Sequence, residues 1–309
     1  MIRSILRYAM CLTAFVSVAP TWALPTAAPA TQPAENRFIR FVDDGTGTGG
    51  GALQVAILSY RNEQGVLVDL IGAVHVGDRA YYEGLNTRFE EYDALLYELV
   101  KPKDDEAPPE ELQKLRGTLG GIQRFMKDVL HLEHQLQVID YEAPNFVHAD
   151  MNAEDFFAMQ HERGESIWTI MFQSMMGGQG AAVTRESQIQ QMADMYRLLT
   201  GKDKGRELKL LVAHQMGHIE DTLSGLGSLD GTVLLTERNK AALAVLKQTI
   251  EDGSKKIGVF YGAAHLNDMD KRMADMGFTP IGTEWLTAWD VNTPTTQPAA
   301  TEKTDRDKP

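Results

Sequence analysis

Residues 70–100 read LIGAVHVGDRAYYEGLNTRFEEYDALLYELV, and the fold turns on this stretch. Val66, Val68, Leu70 and Ile71 form an apolar, β-prone run that stops at Gly72, with His75 just beyond it. Residues 79–92 then carry helical spacing, with Tyr82, Leu85 and Phe89 on one stripe. A second apolar run, Ala94 to Leu96, ends in Tyr97 and Glu98. The order predicts strand, turn, helix, strand. In an open α/β sheet the carboxyl ends of parallel strands face one crevice, where ligands usually bind. His75 and Glu98 are therefore expected at one cleft.

A second unit repeats the design. Lys256 to Tyr261 reads as a strand, followed by Gly262, two alanines and His265. One G-x-x-H is a weak signal. Two of them, each closing a strand, together with a strand-end glutamate, point to a shared site.

The 309 residues and 43% hydrophobic content suffice for one sizeable core. The formal charge of −13 argues against a nucleic-acid partner, since phosphate neutralisation needs a basic surface. Residues 1–23 have the pattern of a secretory signal: Arg3 and Arg7, the apolar run MCLTAFVSVA, then Thr21-Trp22-Ala23. That run is shorter than the roughly 20 residues of a spanning helix, so no stable membrane span is expected after cleavage. The one cysteine, Cys11, lies inside the signal, so a mature chain would hold neither disulfides nor thiolate sites. The expected location is the periplasm or the exterior. Composition says nothing of oligomeric state.

Outward from the deciding stretch, residues 24–36 read as a flexible linker and 37–291 as one α/β domain with a mixed sheet flanked by helices. The pairing of ALQVAILSY with GVLVDLIGAV across Arg61–Gly65 predicts a hairpin, which makes the sheet mixed. Glycine-rich residues 43–51 lack a P-loop lysine and read as a connection. Helices are expected over 110–132, 153–176, 184–200, 205–223 and 231–251, the last capped by Thr232. Leu136–Tyr141 reads as a strand, Asp268–Met276 as a helix and Phe278–Leu286 as an outer strand. Residues 153–200, rich in methionine and aromatic side chains, are expected to form a helical cap hinged at Gly177–Ala182. The polar, proline-containing tail 292–309 reads as disordered.

His75, Glu98 and His265 are the leading candidates for chemistry. Two imidazoles and a carboxylate make a common site for a divalent metal. Glu98 could be a ligand or the general base to a water. Arg238, one turn into a late helix, is a candidate for stabilising an oxyanion. His148 and Asp150, in FVHADMN, have two readings: Asp150 or Asn152 caps the next helix, or the pair contributes to the cleft. Tyr97 and Tyr261 could line a ligand site. His214 and His218 have the i, i+4 spacing of a zinc helix, but Gln215 stands where that motif needs glutamate. No G-x-S-x-G elbow and no dinucleotide fingerprint occur.

Four short motifs together resemble the TraB/GumN family: Gly72-Ala73-Val74-His75, Tyr97-Glu98-Leu99, Glu237-Arg238-Asn239 and Gly262-Ala263-Ala264-His265-Leu266. That family is related to the TIKI metalloproteases, in a wider group with erythromycin esterases and ChaN-like haem-binding proteins. The resemblance spans about residues 52–291. It implies a mixed sheet with both histidines and the glutamate in one cleft, and His75, Glu98, Arg238 and His265 as the active-site set. For the TIKI branch it implies peptide hydrolysis dependent on a divalent metal such as Mn, Co or Zn, with residues 101–230 setting the substrate. The expectation is an exported metal-dependent hydrolase acting on a peptide or other small substrate. The alternatives are a protein that sequesters haem or a peptide signal, and a metal-free esterase.

Overall fold

The computed structural model describes residues 38–46, 50–103, 107–114, 117, 121, 129–165, 185–217 and 232–292. The expected signal, linker, tail, most of the 110–132 helix, the centre of the cap and His218 lie outside these. The described chain is mixed α/β, with a central sheet of seven strands flanked by helices.

The elements run β1 (Ile39–Asp43), β2 (Gly51–Arg61), β3 (Leu67–Ala73), β4 (Val76–Gly77), α1 (Arg79–Phe89), β5 (Ala94–Tyr97), β6 (Glu133–His134), β7 (Phe146–His148), α2 (Ala153–Arg163), α3 (Arg185–Thr200), α4 (Lys204–Gly217), α5 (Arg238–Glu251), β8 (Lys256–Gly262), α6 (Leu266–Asp275) and β9 (Thr279–Asp290). β2 and β3 form the expected antiparallel hairpin, while β3, β8, β5 and β7 are parallel neighbours in that order. β9 runs along Ala52–Arg61 of β2, while β1 covers Gly51–Val55 and β3 covers Ile57–Arg61. A strand has two edges, so β1 and β3 share one edge of β2 end to end, and β9 takes the other.

Two expectations need correction. β3 and β5 are not adjacent: β8, made much later in the chain, lies between them. And Leu136–Tyr141 is not a strand. Residues Gln135–Val138 form a short helical turn, and the strand that extends the sheet is Phe146–His148. Asn145 fixes that start, since its Nδ2 donates to the carbonyls of Phe89 and Tyr92 and its own carbonyl accepts from Leu95. Val138 and Ile139 pack into the core without joining the ladder.

The period-2 alternation of strands sorts side chains between two cores. Ile57, Ile71, Leu95 and Phe260 pack under α1 with Tyr82, Leu85 and Phe89. Leu58, Leu70, Leu96, Val259 and Tyr261 face α5 and α6, against Ala242, Leu246, Met269 and Met273. α4 adds Leu210 and Ala213 to the first core. No helix among the described residues is long and apolar enough to cross a membrane.

Candidate functional site

Three parallel strand ends meet at one end of the sheet. Ala73 pairs with Gly262, and Tyr97 with Phe260, while the Glu98 N–H donates to the Phe260 carbonyl. The register thus brings His75, Glu98 and His265 to the same end, with the central strand carrying His265.

The backbone around His75 is clamped by aromatic side chains. Tyr81 donates to the Gly72 carbonyl (3.0 Å), Tyr82 to that of Val74 (2.7 Å) and the Trp289 indole to that of Val76 (2.7 Å). Just beyond, the buried Lys209 ammonium joins Asp78 Oδ1 (2.7 Å) and the Asp290 carbonyl (2.9 Å). The His75 side chain itself is exposed, its Nδ1 3.3 Å from Gln135 Oε1. Gln135 in turn donates to the Tyr141 hydroxyl (2.7 Å).

Glu98, one residue past the end of β5, is held by two donors. Its Oε2 accepts from the Gly262 N–H at 2.7 Å, and a side chain at 262 would crowd that oxygen at 3.3 Å. This close approach gives the glycine of the second G-x-x-H a direct role. Oε1 accepts from Arg238 Nη2 at 2.7 Å and lies 3.5 Å from His265 Nε2.

Arg238 follows a π-helical turn, Val233–Glu237, whose entry is capped by Thr232 as expected (Leu235 N–H to Thr232 Oγ1, 3.4 Å). Single π turns often accompany functional sites. The guanidinium is buried and grips two carboxylates. Nε and Nη2 meet Asp150 Oδ1 and Oδ2 (2.9 and 2.6 Å), and Nη2 also meets Glu98. Its Nε/Nη2 edge is therefore occupied by the protein. Asp150 belongs to the site through this pair, and Asn152, not Asp150, caps α2 through Oδ1 to the Asp155 N–H (2.8 Å).

The electrostatics follow from burial. Burial is the largest single influence on the Glu98 carboxyl and would raise it, but the nearby charges, Arg238 first among them, together with the Gly262 N–H outweigh it and hold Glu98 well below the usual carboxylate range. Arg238 resists the same desolvation because Glu98 and Asp150 hold its charge. Burial pushes the His265 imidazole down to about 4, against the pull of Glu98. His265 is thus neutral near pH 7, and its contact with Glu98 is not an ion pair there. Two carboxylates against one guanidinium leave this buried group one negative charge in excess.

The remaining expected residues divide. Tyr97 packs with Tyr141, Phe146 and His148. Tyr261 is wholly buried, edge-on to His265, and its hydroxyl donates to the Ala149 carbonyl. His148 Nε2 meets the Leu99 carbonyl at 2.7 Å. His214 pairs with Asp194 (2.7 Å) on α3, far along the chain from the strand ends. Asn239 and Gln135 meet the two histidines; Asn239 lies in the Glu237-Arg238-Asn239 motif, but no role for it is legible in the sequence, and Gln135 carries no motif. Asn239 Oδ1 lies 2.6 Å from His265 Nδ1.

Among the described residues, no three His, Cys, Asp or Glu side chains surround one point closely enough to hold an ion. The convergent pair is His265 and Glu98, and His75 lies within electrostatic reach of both. Comparison with protein-family models and with curated proteins finds no match to this chain.

Proposed function

We propose that this protein is an exported, metal-dependent hydrolase of the TraB/GumN type, acting on peptide bonds. The observation that carries the reading is the facing of two acceptors. His265 is neutral, its Nδ1 is engaged by Asn239, and its Nε2 lies 3.5 Å from Glu98 Oε1. A bare imidazole nitrogen this close to a carboxylate oxygen in a buried, net-negative setting is unfavourable unless a cation or a proton lies nearby. A neutral imidazole and an ionised carboxylate are the forms that ligate a divalent ion, so these residues fit one. His265 and Glu98 would hold it, and His75, exposed but within electrostatic reach of both, would have to turn in to be the third donor.

A divalent ion bound there supplies Lewis acidity toward water and a substrate carbonyl. The protein's own part is to fix the donors. Arg238 keeps Glu98 ionised, and the Gly262 N–H sets its rotation. A carboxylate held this far below its ordinary range is a weak base, so the geometry favours Glu98 as ligand over Glu98 as general base. Arg238, with Nε and Nη2 committed, acts mainly through Glu98.

The test is direct. Stripped protein is titrated with Mn²⁺, Co²⁺ and Zn²⁺ by calorimetry, then assayed on a peptide library. One ion per chain is expected, with peptide cleavage only in the loaded form. His265→Gln and Glu98→Gln should each weaken ion binding at least about tenfold. Absence of binding for all three ions would remove the proposal. Binding without cleavage of any peptide would favour the sequestering alternative.

A further inference from the structure

We propose that Asn239 is the positioning residue that selects the Nδ1–H tautomer of His265 and so leaves the free lone pair on Nε2, 3.5 Å from Glu98 Oε1. Asn239 is completely buried at the start of α5. A side-chain amide can be placed two ways round, and its neighbours decide which. Here Nδ2 lies 3.1 Å from the His265 carbonyl and 2.8 Å from Asp268 Oδ2. Both are acceptors. Reversing the amide would set its oxygen against two oxygens, so Oδ1 must face His265 Nδ1, at 2.6 Å. An amide oxygen only accepts, so the ring nitrogen it meets carries the hydrogen. Nε2 is then bare.

The anchor extends outward. Asp268 is held by Arg272 through two bonds, of 2.7 and 3.0 Å. A line of partners thus runs from a part-exposed arginine on α6 through Asp268 and Asn239 to the buried ring. His75 supplies the contrast. Its Gln135 partner meets a tyrosine hydroxyl on its other side, and a hydroxyl both donates and accepts. Gln135 can therefore reverse without penalty and fixes no tautomer. One histidine of the pair is pre-set and the other is adjustable.

The consequence for a cation rests on the function proposed above, but the tautomer itself does not. The experiment separates the two. Metal-free protein with ¹⁵N-labelled histidines is examined by long-range ¹H–¹⁵N correlation NMR, the His265 signals being assigned by their loss in His265→Gln. The neutral Nδ1–H pattern is expected for the wild type. An Nε2–H pattern overturns the proposal with no variant needed, which keeps the test decisive if a variant fails to fold. In folded Asn239→Leu, checked by circular dichroism, a mixed or reversed tautomer is expected, and an unchanged Nδ1–H pattern overturns the proposal. Titration with Co²⁺ alone should then show affinity roughly 10–100-fold weaker in Asn239→Leu than in the wild type, the usual scale for loss of a partner that orients a ligand. If the tautomer shifts while neither protein binds Co²⁺, the positioning role stands and the metal reading falls.

Discussion

Asp150 is the residue whose removal should cost most. Its side chain is fully buried, and both oxygens hold Arg238. Asp150→Ala leaves a buried guanidinium with Glu98 alone, so a loss of roughly 3–5 kcal/mol is expected in urea denaturation. Glu98→Gln keeps an acceptor for Arg238 and should cost less, roughly 1–3 kcal/mol. Equal stability of Asp150→Ala and wild type would show that the pair is not the support described. Histidine 265 gives a pH signature of unusual sign. Its folded pKa of about 4 lies below its ordinary 6.5, so between those values the unfolded chain binds the extra proton. Stability from this group is present above pH 6.5 and is lost as pH falls toward 4, in the same direction as for Glu98. Denaturation of metal-free protein across that window should fall by up to about 1.4 kcal/mol per pH unit from His265, and the slope should flatten in His265→Gln.

At the scale of elements, the two ends of the expected cap behave differently. α2 is part of the site's foundation. Phe156 is fully buried beneath Arg238, whose Cζ lies 5.9 Å from the ring centre, and Glu165 accepts from the Val233 N–H at the entry to the π turn. α3 instead presents Ile189, Met192, Met195, Tyr196 and Leu199 outward. Phe156→Ala should therefore cost about 3–5 kcal/mol, whereas Met192→Gln should stay within about 0.5 kcal/mol of the wild type. Thermal unfolding of both variants checks the contrast. A deletion starting at residue 153 would remove this support, so any trimming that spares the site has to begin after Glu165.

At the scale of the whole molecule, the proposed export predicts a mature chain beginning near residue 24, and mass spectrometry of the exported protein that finds Met1 retained would sink it. Much of the architecture was legible because it is local. His75, Glu98 and His265 stand where apolar runs stop, and the hairpin, the Thr232 cap and the mixed sheet all follow from neighbouring residues. The placement of β8 between β3 and β5 was not legible, since pairing across so long a separation leaves no mark on local periodicity. Asp150 is a cleft candidate in the sequence, but its pairing with Arg238 on another element was not legible, nor were the partners of the Asn239 and Gln135 amides. Leu136–Tyr141 reads as a strand, yet only Val138, Ile139 and Tyr141 pack against the core and Leu136 stays exposed, while the three-residue β7 is too short to show a period.

The late position of β8 sets the order in which a growing chain can organise itself. β2 and β3 can pair as soon as they are made, but β3 and β5 touch only through β8 and have no ladder partner in common until Lys256–Gly262 appears. β9, which covers the other edge of β2, comes later still. Long-range pairing of this kind is slow and leaves strand edges open while it waits. For most of its synthesis the nascent polypeptide is thus a set of unjoined pieces, and a chain stopped short of Gly262 has neither its middle strand nor a histidine to face Glu98. Any role that needs His265 beside Glu98 therefore waits for β8.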